Sequence, residues 1–146
     1  MHFADFSPYR YLTRTDVTAA HNIGWIEELS QLRIGVIDSL VPDLLERHYL
    51  DLVGNQTRGY HDCALCDETE IWIASGDQRI VLGAAELWIP DGDGDIFVAP
   101  DLVIHYIRAH LYRPADRFVS AVLRLPTTIP GWNGEHVAER LCARQT

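Results

Sequence analysis

Two cysteines and two histidines in this sequence stand at spacings that suit a bound metal ion. Cys63 and Cys66 form a C-x2-C pair, and one tight turn at this spacing can direct two thiolates at the same ion. Farther along the chain, His105 and His110 are separated by four residues. Together they read C-x2-C…H-x4-H, with the donor types and local spacings of structural zinc sites. The sequence therefore predicts a Cys2His2 site for Zn²⁺.

The histidine spacing raises a geometric difficulty for this site. Residues five apart on a regular α-helix lie about 140° apart around its axis, so His105 and His110 do not share a face. Both can bind if the helix tightens or ends before Pro114, and we expect this closed arrangement. If the helix stays regular, only His105 binds, and His61 or a water molecule supplies the fourth ligand. On that geometry His110 faces the core and His105 points away from it.

The C-x2-C pair has two competing interpretations. A redox dithiol needs a thiolate stabilised by a helix N-terminus or a nearby cation. Here acidic residues such as Asp62 and Asp67 surround the pair, and they should raise the pKa of the thiols instead. The cysteines could also be buried core residues near unrelated surface histidines, because free cysteines are commonly core residues. We favour the metal site over both, and we expect the third cysteine, Cys142, to be inert.

The hydrophobic pattern predicts the helices that must position these side chains. Apolar residues recur at helical spacing from Ser39 to Val53, with Pro42 in the first turn. The same spacing predicts a helix from Pro100 to Pro114, which carries both histidines. Two further helices are predicted at residues 114–123 and 135–143, with a loop-like stretch between them from Pro126 to Trp132.

Alternating and short apolar runs predict the strands, which occupy residues 70–74, 79–82, 85–89 and 96–98. The acidic, glycine-containing segment 91–95 is predicted to be a solvated hairpin turn rather than a calcium loop, because no glutamate stands at its twelfth position. Residues 1–37, with aromatic residues from Phe3 to Tyr11, are predicted to be irregular or partly stranded. The resulting fold is α+β, a small antiparallel sheet of about four strands covered on one face by three or four helices.

Length and charge limit the class of protein. The chain has 146 residues, of which 47 % are hydrophobic and 23 % charged, and this predicts a single globular domain over residues 1–146. The formal net charge of −9 argues against nucleic acid as a partner, because that contact requires positive charge. The sequence shows neither an apolar run of about 18 residues nor a signal-peptide pattern. We therefore expect a cytoplasmic protein without a membrane partner.

Two blocks of this sequence resemble a family of small uncharacterised bacterial proteins that is frequent in actinobacteria. The first block is Asn55-Gln-Thr-Arg-Gly-Tyr-His-Asp-Cys-Ala-Leu-Cys66, and the second runs from Val98 to Pro114 and contains both histidines. The segments Asp5-Phe-Ser-Pro-Tyr9 and Ile23-Gly-Trp25 are similar to the opening of that family. The resemblance covers most of the chain and implies a compact single domain in which the cysteine block and the histidine helix belong together.

Two functions fit these observations. The first is an interaction protein with a structural zinc and another protein as its partner; a toxin-neutralising immunity protein is one concrete case, since acidic proteins associate rapidly with basic partners. The second is a zinc-dependent enzyme of the hydrolase type, with a Cys2His site and an activated water. Glu70 and Asp101 would then be acid–base candidates, although no catalytic residue is assigned. We favour the first, because four protein ligands are typical of a structural site.

Overall fold

The structure, a computed structural model, describes residues 2–9 and 17–143, and within them the fold is α+β. The strands are β1 (Pro8–Tyr9), β2 (Val17–Asn22), β3 (Val53–Gly54), β4 (Trp72–Ser75), β5 (Gln78–Val81), β6 (Glu86–Pro90) and β7 (Ile96–Pro100). The helices are α1 (Leu40–Arg47), α2 (Tyr49–Leu52), α3 (Val103–His110), α4 (Asp116–Leu123), α5 (Leu125–Thr128) and α6 (Gly134–Ala143). A short 3-10 helix occupies Leu29–Gln31. Tyr11, part of the N-terminal aromatic pattern, lies outside the described residues.

The main sheet is mixed, with five strands in the order β1-β2-β7-β6-β3. The predicted β6–β7 hairpin is at its centre, paired antiparallel from Glu86↔Pro100 to Pro90↔Ile96. β2 pairs parallel with β7, so the expectation of an antiparallel sheet was wrong at this position. This pairing joins strands more than seventy residues apart, and no local pattern signals it. β4 and β5 form a separate two-stranded hairpin.

Helices and loops cover both faces of the main sheet, whereas the sequence led us to expect cover on one face. Leu87 and Ile89 of β6 point into a large core shared with side chains of α1 to α5. Trp88 points to the opposite face and packs with Val137 and Ala138 of α6. All five residues of β6 are buried as a result. A strand that is covered on both faces has no solvent-exposed side. Its sequence therefore need not alternate between polar and apolar residues, and the pattern does not show which side chains face which layer.

The predicted helices are present with different bounds. The first begins close to Ser39 as expected, but His48 (φ −100°, ψ 13°) separates it into α1 and α2. α3 begins at Val103 rather than at Pro100, because Pro100 is the last residue of β7. α4 and α6 lie within two residues of their predicted ranges, whereas α5 occupies part of the stretch expected to be a loop. No helix in the described part of the chain is long and apolar enough to cross a membrane.

The turn between β6 and β7 is anchored by arginines rather than fully solvated. Asp91 is buried, and its carboxylate pairs with Arg117 at 2.7 Å and with Arg124 at 3.0 Å. Arg117 also contacts Asp95 at 2.6 Å. These ion pairs attach the tip of the hairpin to α4 and its C-terminal end, a link that the sequence pattern did not indicate.

The loop that carries the cysteines is held against the chain between β5 and β6. The backbone N–H of Thr57 donates to the carbonyl of Ala84 at 2.7 Å, and that of His61 donates to the carbonyl of Gly83 at 2.8 Å. Gly83 has φ +118°, and a Cβ atom there would lie 2.2 Å from the carbonyl oxygen of His61. Only glycine permits both this backbone conformation and this approach.

Gly83→Ala should therefore destabilise the protein by about 2–4 kcal/mol, because it combines backbone strain with a clash against backbone atoms. Gly59→Ala in the same loop is the matched control, since a Cβ atom there meets nothing within 4 Å. Denaturant unfolding of both variants gives the two free energies. Equal stability of the two variants would contradict the close approach at Gly83.

Candidate metal centre

The structure brings together all four of the predicted metal ligands. The donor atoms of Cys63, Cys66, His105 and His110 lie within 4.8 Å of one another. The Sγ of Cys63 is 3.4 Å from Nε2 of His110, and the Sγ of Cys66 is 3.5 Å from Nε2 of His105. A tetrahedral ion with bonds of about 2.3 Å to sulfur and 2.0 Å to nitrogen separates such donors by about 3.5 Å. The cluster can therefore hold a metal ion.

A turn at residues 63–66 directs both thiols toward the protein interior. The backbone N–H of Leu65 donates to the Sγ of Cys63 at 3.4 Å, closing the turn on the first sulfur. Cys63 is buried within the large core, and Leu65 and Cys66 pack against it. Burial of these side chains therefore aims the C-x2-C pair at α3 rather than at solvent.

α3 presents both imidazoles without unwinding. It remains helical through His110 and ends at Leu111, which is left-handed at φ 54°. Long side chains on a helix lean toward its N-terminus, so the ring of His110 extends back toward the turn that carries His105. The two ring centroids are 5.0 Å apart. The length and direction of the two histidine side chains therefore bring their rings together, and the tightened or broken last turn that we expected is not needed.

The relative burial of the two histidines is the reverse of the prediction. His105 is only 6 % exposed, whereas His110 is half-buried at the end of the helix. The prediction placed His110 on the apolar face and His105 off it. It failed because the cysteine loop covers α3 beside His105, so that five consecutive residues from Val103 to Ile107 are buried.

Burial shifts the pKa values of Cys63 and His105 in the absence of an ion. It raises the pKa of the Cys63 thiol, and the adjacent Cys66 raises it further. Burial also lowers the pKa of His105, with a smaller contribution from the neighbouring His110. The sequence had suggested that nearby acidic residues raise the thiol pKa, but desolvation and the neighbouring Cys66 raise the pKa of Cys63 instead. A divalent cation would stabilise the thiolates, and the lowered pKa of His105 favours the neutral imidazole that binds such an ion.

Glu68 is a functional candidate that the sequence reasoning missed. One of its carboxylate oxygens lies 4.0 Å from Nδ1 of His105, on the side of the ring opposite to the thiol contact. At this distance the carboxylate makes no hydrogen bond, but its charge favours a proton on Nδ1, the tautomer that leaves Nε2 free for a metal ion. The available signal was an acidic residue two positions after the second cysteine, although acidic neighbours are too common to single it out.

Other residues considered from the sequence lie outside the cluster. His61 is exposed, and its backbone, not its ring, makes the contact with Gly83. Glu70 is exposed, and Asp101 is buried and accepts a hydrogen bond from the Tyr49 hydroxyl at 2.8 Å. Cys142 is half-buried, with its sulfur 3.8 Å from Nδ2 of Asn55. Among the described residues, therefore, none of these side chains lies where it could replace one of the four metal ligands.

Comparison with known proteins identifies a family but no characterised relative. No curated protein and no solved structure matches this chain. Residues 1–123 match a family model described as Domain of unknown function (DUF7919). The matched range contains the cysteine turn and all of α3, and it ends with α4, so α5 and α6 follow it. The chain therefore belongs to the DUF7919 family, a family of domains of unknown function.

Proposed function

We propose that this protein binds one zinc ion through Cys63, Cys66, His105 and His110 and that the ion has a structural role. The observation that carries the proposal is the convergence of the four donor atoms within 4.8 Å. The choice of zinc rests on the donor set, because two sulfurs and two nitrogens in a tetrahedral arrangement are typical of zinc sites.

The complete set of protein ligands supports a structural rather than a catalytic ion. Catalytic zinc keeps one coordination position for water or substrate, whereas structural zinc is closed by four protein side chains. The turn at Cys63 lies within the long connection between β3 and β4, and the ion would connect this turn to α3. No helix or strand is present in that connection, residues 55–71, so its position depends on such links. Metal binding energy would then contribute directly to folding.

The biological role we propose is binding to another protein. The net charge of −9 supports a basic partner, since opposite charge accelerates association. A toxin-neutralising immunity protein, which binds a basic toxin, is one concrete case. The competing function is a hydrolase-type enzyme with a Cys2His site. It would require one histidine to leave the ion, and half-buried His110 is the better placed of the two.

Protein purified without a metal-affinity tag should contain one zinc per chain, measured by elemental analysis. Cys63→Ser should lower this stoichiometry strongly because it removes a thiolate ligand. Cys142→Ser is the matched control and should retain the ion, since Cys142 lies outside the cluster. A wild-type zinc content far below one, with Cys63 and Cys66 both reacting freely with a thiol reagent, would overturn the proposal.

His105→Ala and His110→Ala should each weaken zinc binding by a factor of about 100 or more, because each removes a direct ligand. Competition with a chromogenic chelator measures the affinity, and His61→Ala should match the wild type. Full affinity in His110→Ala, together with a loss in His105→Ala, would contradict the closed site. That result would favour the enzyme with a water-occupied position.

Removal of the ion should lower the melting temperature by about 10 °C or more. A loss of about 4 kcal/mol of binding energy produces a shift of this size in a chain of this length. Scanning calorimetry with and without a chelator measures the shift, and Cys63→Ser should show no further decrease on chelation. An unchanged melting curve after verified zinc removal would exclude a structural role.

A further inference from the structure

A cavity of about 440 Å³ lies next to the candidate metal centre and is not used by it. His61, Asp62 and Ala64, from the loop that carries the cysteines, form one wall. A second wall is formed by Ala85 and Glu86, at the start of β6, and by residues 100–102, from the end of β7 to the residue before α3. This volume is within the range of small-molecule sites, which is about 300–1,000 Å³.

Glu86, which lines the cavity, is only 3 % exposed. Its carboxylate accepts hydrogen bonds from the Tyr9 hydroxyl at 2.9 Å, Nδ2 of Asn55 at 2.7 Å and Nε1 of Trp88 at 3.1 Å. All three donors are neutral. They fix the orientation of the carboxylate, but they do not balance its charge.

Asp101 is a second buried carboxylate in the cavity wall, at 1 % exposure. Its two oxygens accept hydrogen bonds from the Tyr49 hydroxyl and from the backbone N–H of Gly83, both at 2.8 Å. These donors are also neutral. Two acidic groups are thus buried at one cavity without a cationic hydrogen-bond partner among the described residues.

The burial of these two acids is unfavourable for their charged forms. Desolvation raises the pKa of Glu86 to about 7 and that of Asp101 to about 6, despite the hydrogen bonds that oppose the shift. A cation in the cavity would provide the missing countercharge and favour ionisation of both groups. The site is therefore electrostatically matched to a positively charged occupant.

The remaining walls reinforce this match. Glu28 and Asp62 add exposed carboxylates to the lining, and no arginine among the described residues lines the cavity. Trp25 and Tyr106 contribute aromatic surface, and aromatic rings attract cations as well as apolar groups. Ile26 and Leu102 add aliphatic surface.

We propose that this cavity binds a small organic cation, a primary amine carried on a short apolar or aromatic body. The ammonium group pairs with the buried carboxylate of Glu86, and the apolar body packs against the aromatic wall. This inference concerns a site separate from the four metal donors and does not depend on the identity of the metal. It also differs from binding of a protein partner, since the cavity is of small-molecule size.

Isothermal titration of the full chain with 2-phenylethylamine tests the proposal. The neutral analogue 2-phenylethanol and the anion phenylacetate have a similar apolar body. The amine should bind at least about tenfold more tightly than the alcohol, and the anion should not bind measurably. Equal binding of amine and alcohol, or no binding of the amine, would overturn the proposal.

Two variants locate the binding to the cavity. Ala85→Leu places a larger side chain in the cavity wall, and Glu86→Gln removes a charge while keeping the side-chain shape. Each should weaken amine binding by about tenfold or more. Asp93→Asn, an exposed residue in the β6–β7 turn, is the matched control for loss of one negative charge and should bind like the wild type.

Circular dichroism and the melting temperature establish that each variant is folded. If Glu86→Gln is unfolded because an amide nitrogen replaces one of the two oxygens that the Tyr9 hydroxyl contacts, Ala85→Leu decides the outcome. Wild-type amine affinity in folded Ala85→Leu would place the binding elsewhere on the acidic surface and overturn the proposal.

Discussion

The contact between the thiols of Cys63 and Cys66 and the imidazoles of His105 and His110 is the interaction on which the arrangement of this protein depends. The sulfur and nitrogen atoms lie 3.4–3.5 Å apart, and as neutral groups each thiol makes only a weak hydrogen bond to an imidazole. A cation at the centre of the cluster would satisfy all of them at once. The same cluster links a long connection without helices or strands to α3 through contacts that span 39 and 47 residues of the chain.

The loop that carries the cysteines takes part in three features of the fold. Its thiols face α3, its backbone is held against Gly83 and Ala84, and residues between these points form a wall of the cavity. Gly83 also donates to Asp101, which lies just before α3. The metal cluster, the close backbone approach and the cavity are thus mechanically connected. Ordering of the loop by an ion would also order the cavity wall, so the two proposed binding events share one structural element.

Two buried acidic groups at one cavity are costly for stability, and they support the proposed cation site. Glu86 and Asp101 carry a desolvation cost, and an apolar side chain of similar volume would avoid it. The hydrogen bond from Tyr9 to Glu86 connects β1 to β6, and that from Tyr49 to Asp101 connects α2 to the segment between β7 and α3. Stability alone does not explain why both are acids on the wall of one cavity, whereas charge complementarity with a cationic occupant does.

The donor set and the main elements followed from the sequence by itself, because they depend on local spacing. The C-x2-C pair, the helical spacing around His105 and His110, and the β6–β7 hairpin are all encoded within a few residues of each other. Local spacing could not show that β2 pairs parallel with β7 or that α6 covers the second face of the sheet. Tertiary structure alone decided which histidine is buried, placed Glu68 behind His105 and enclosed the acidic cavity. These features arise where segments that are distant in the chain exclude water from one another. The hydrophobic pattern within one segment does not indicate which other segment will cover it.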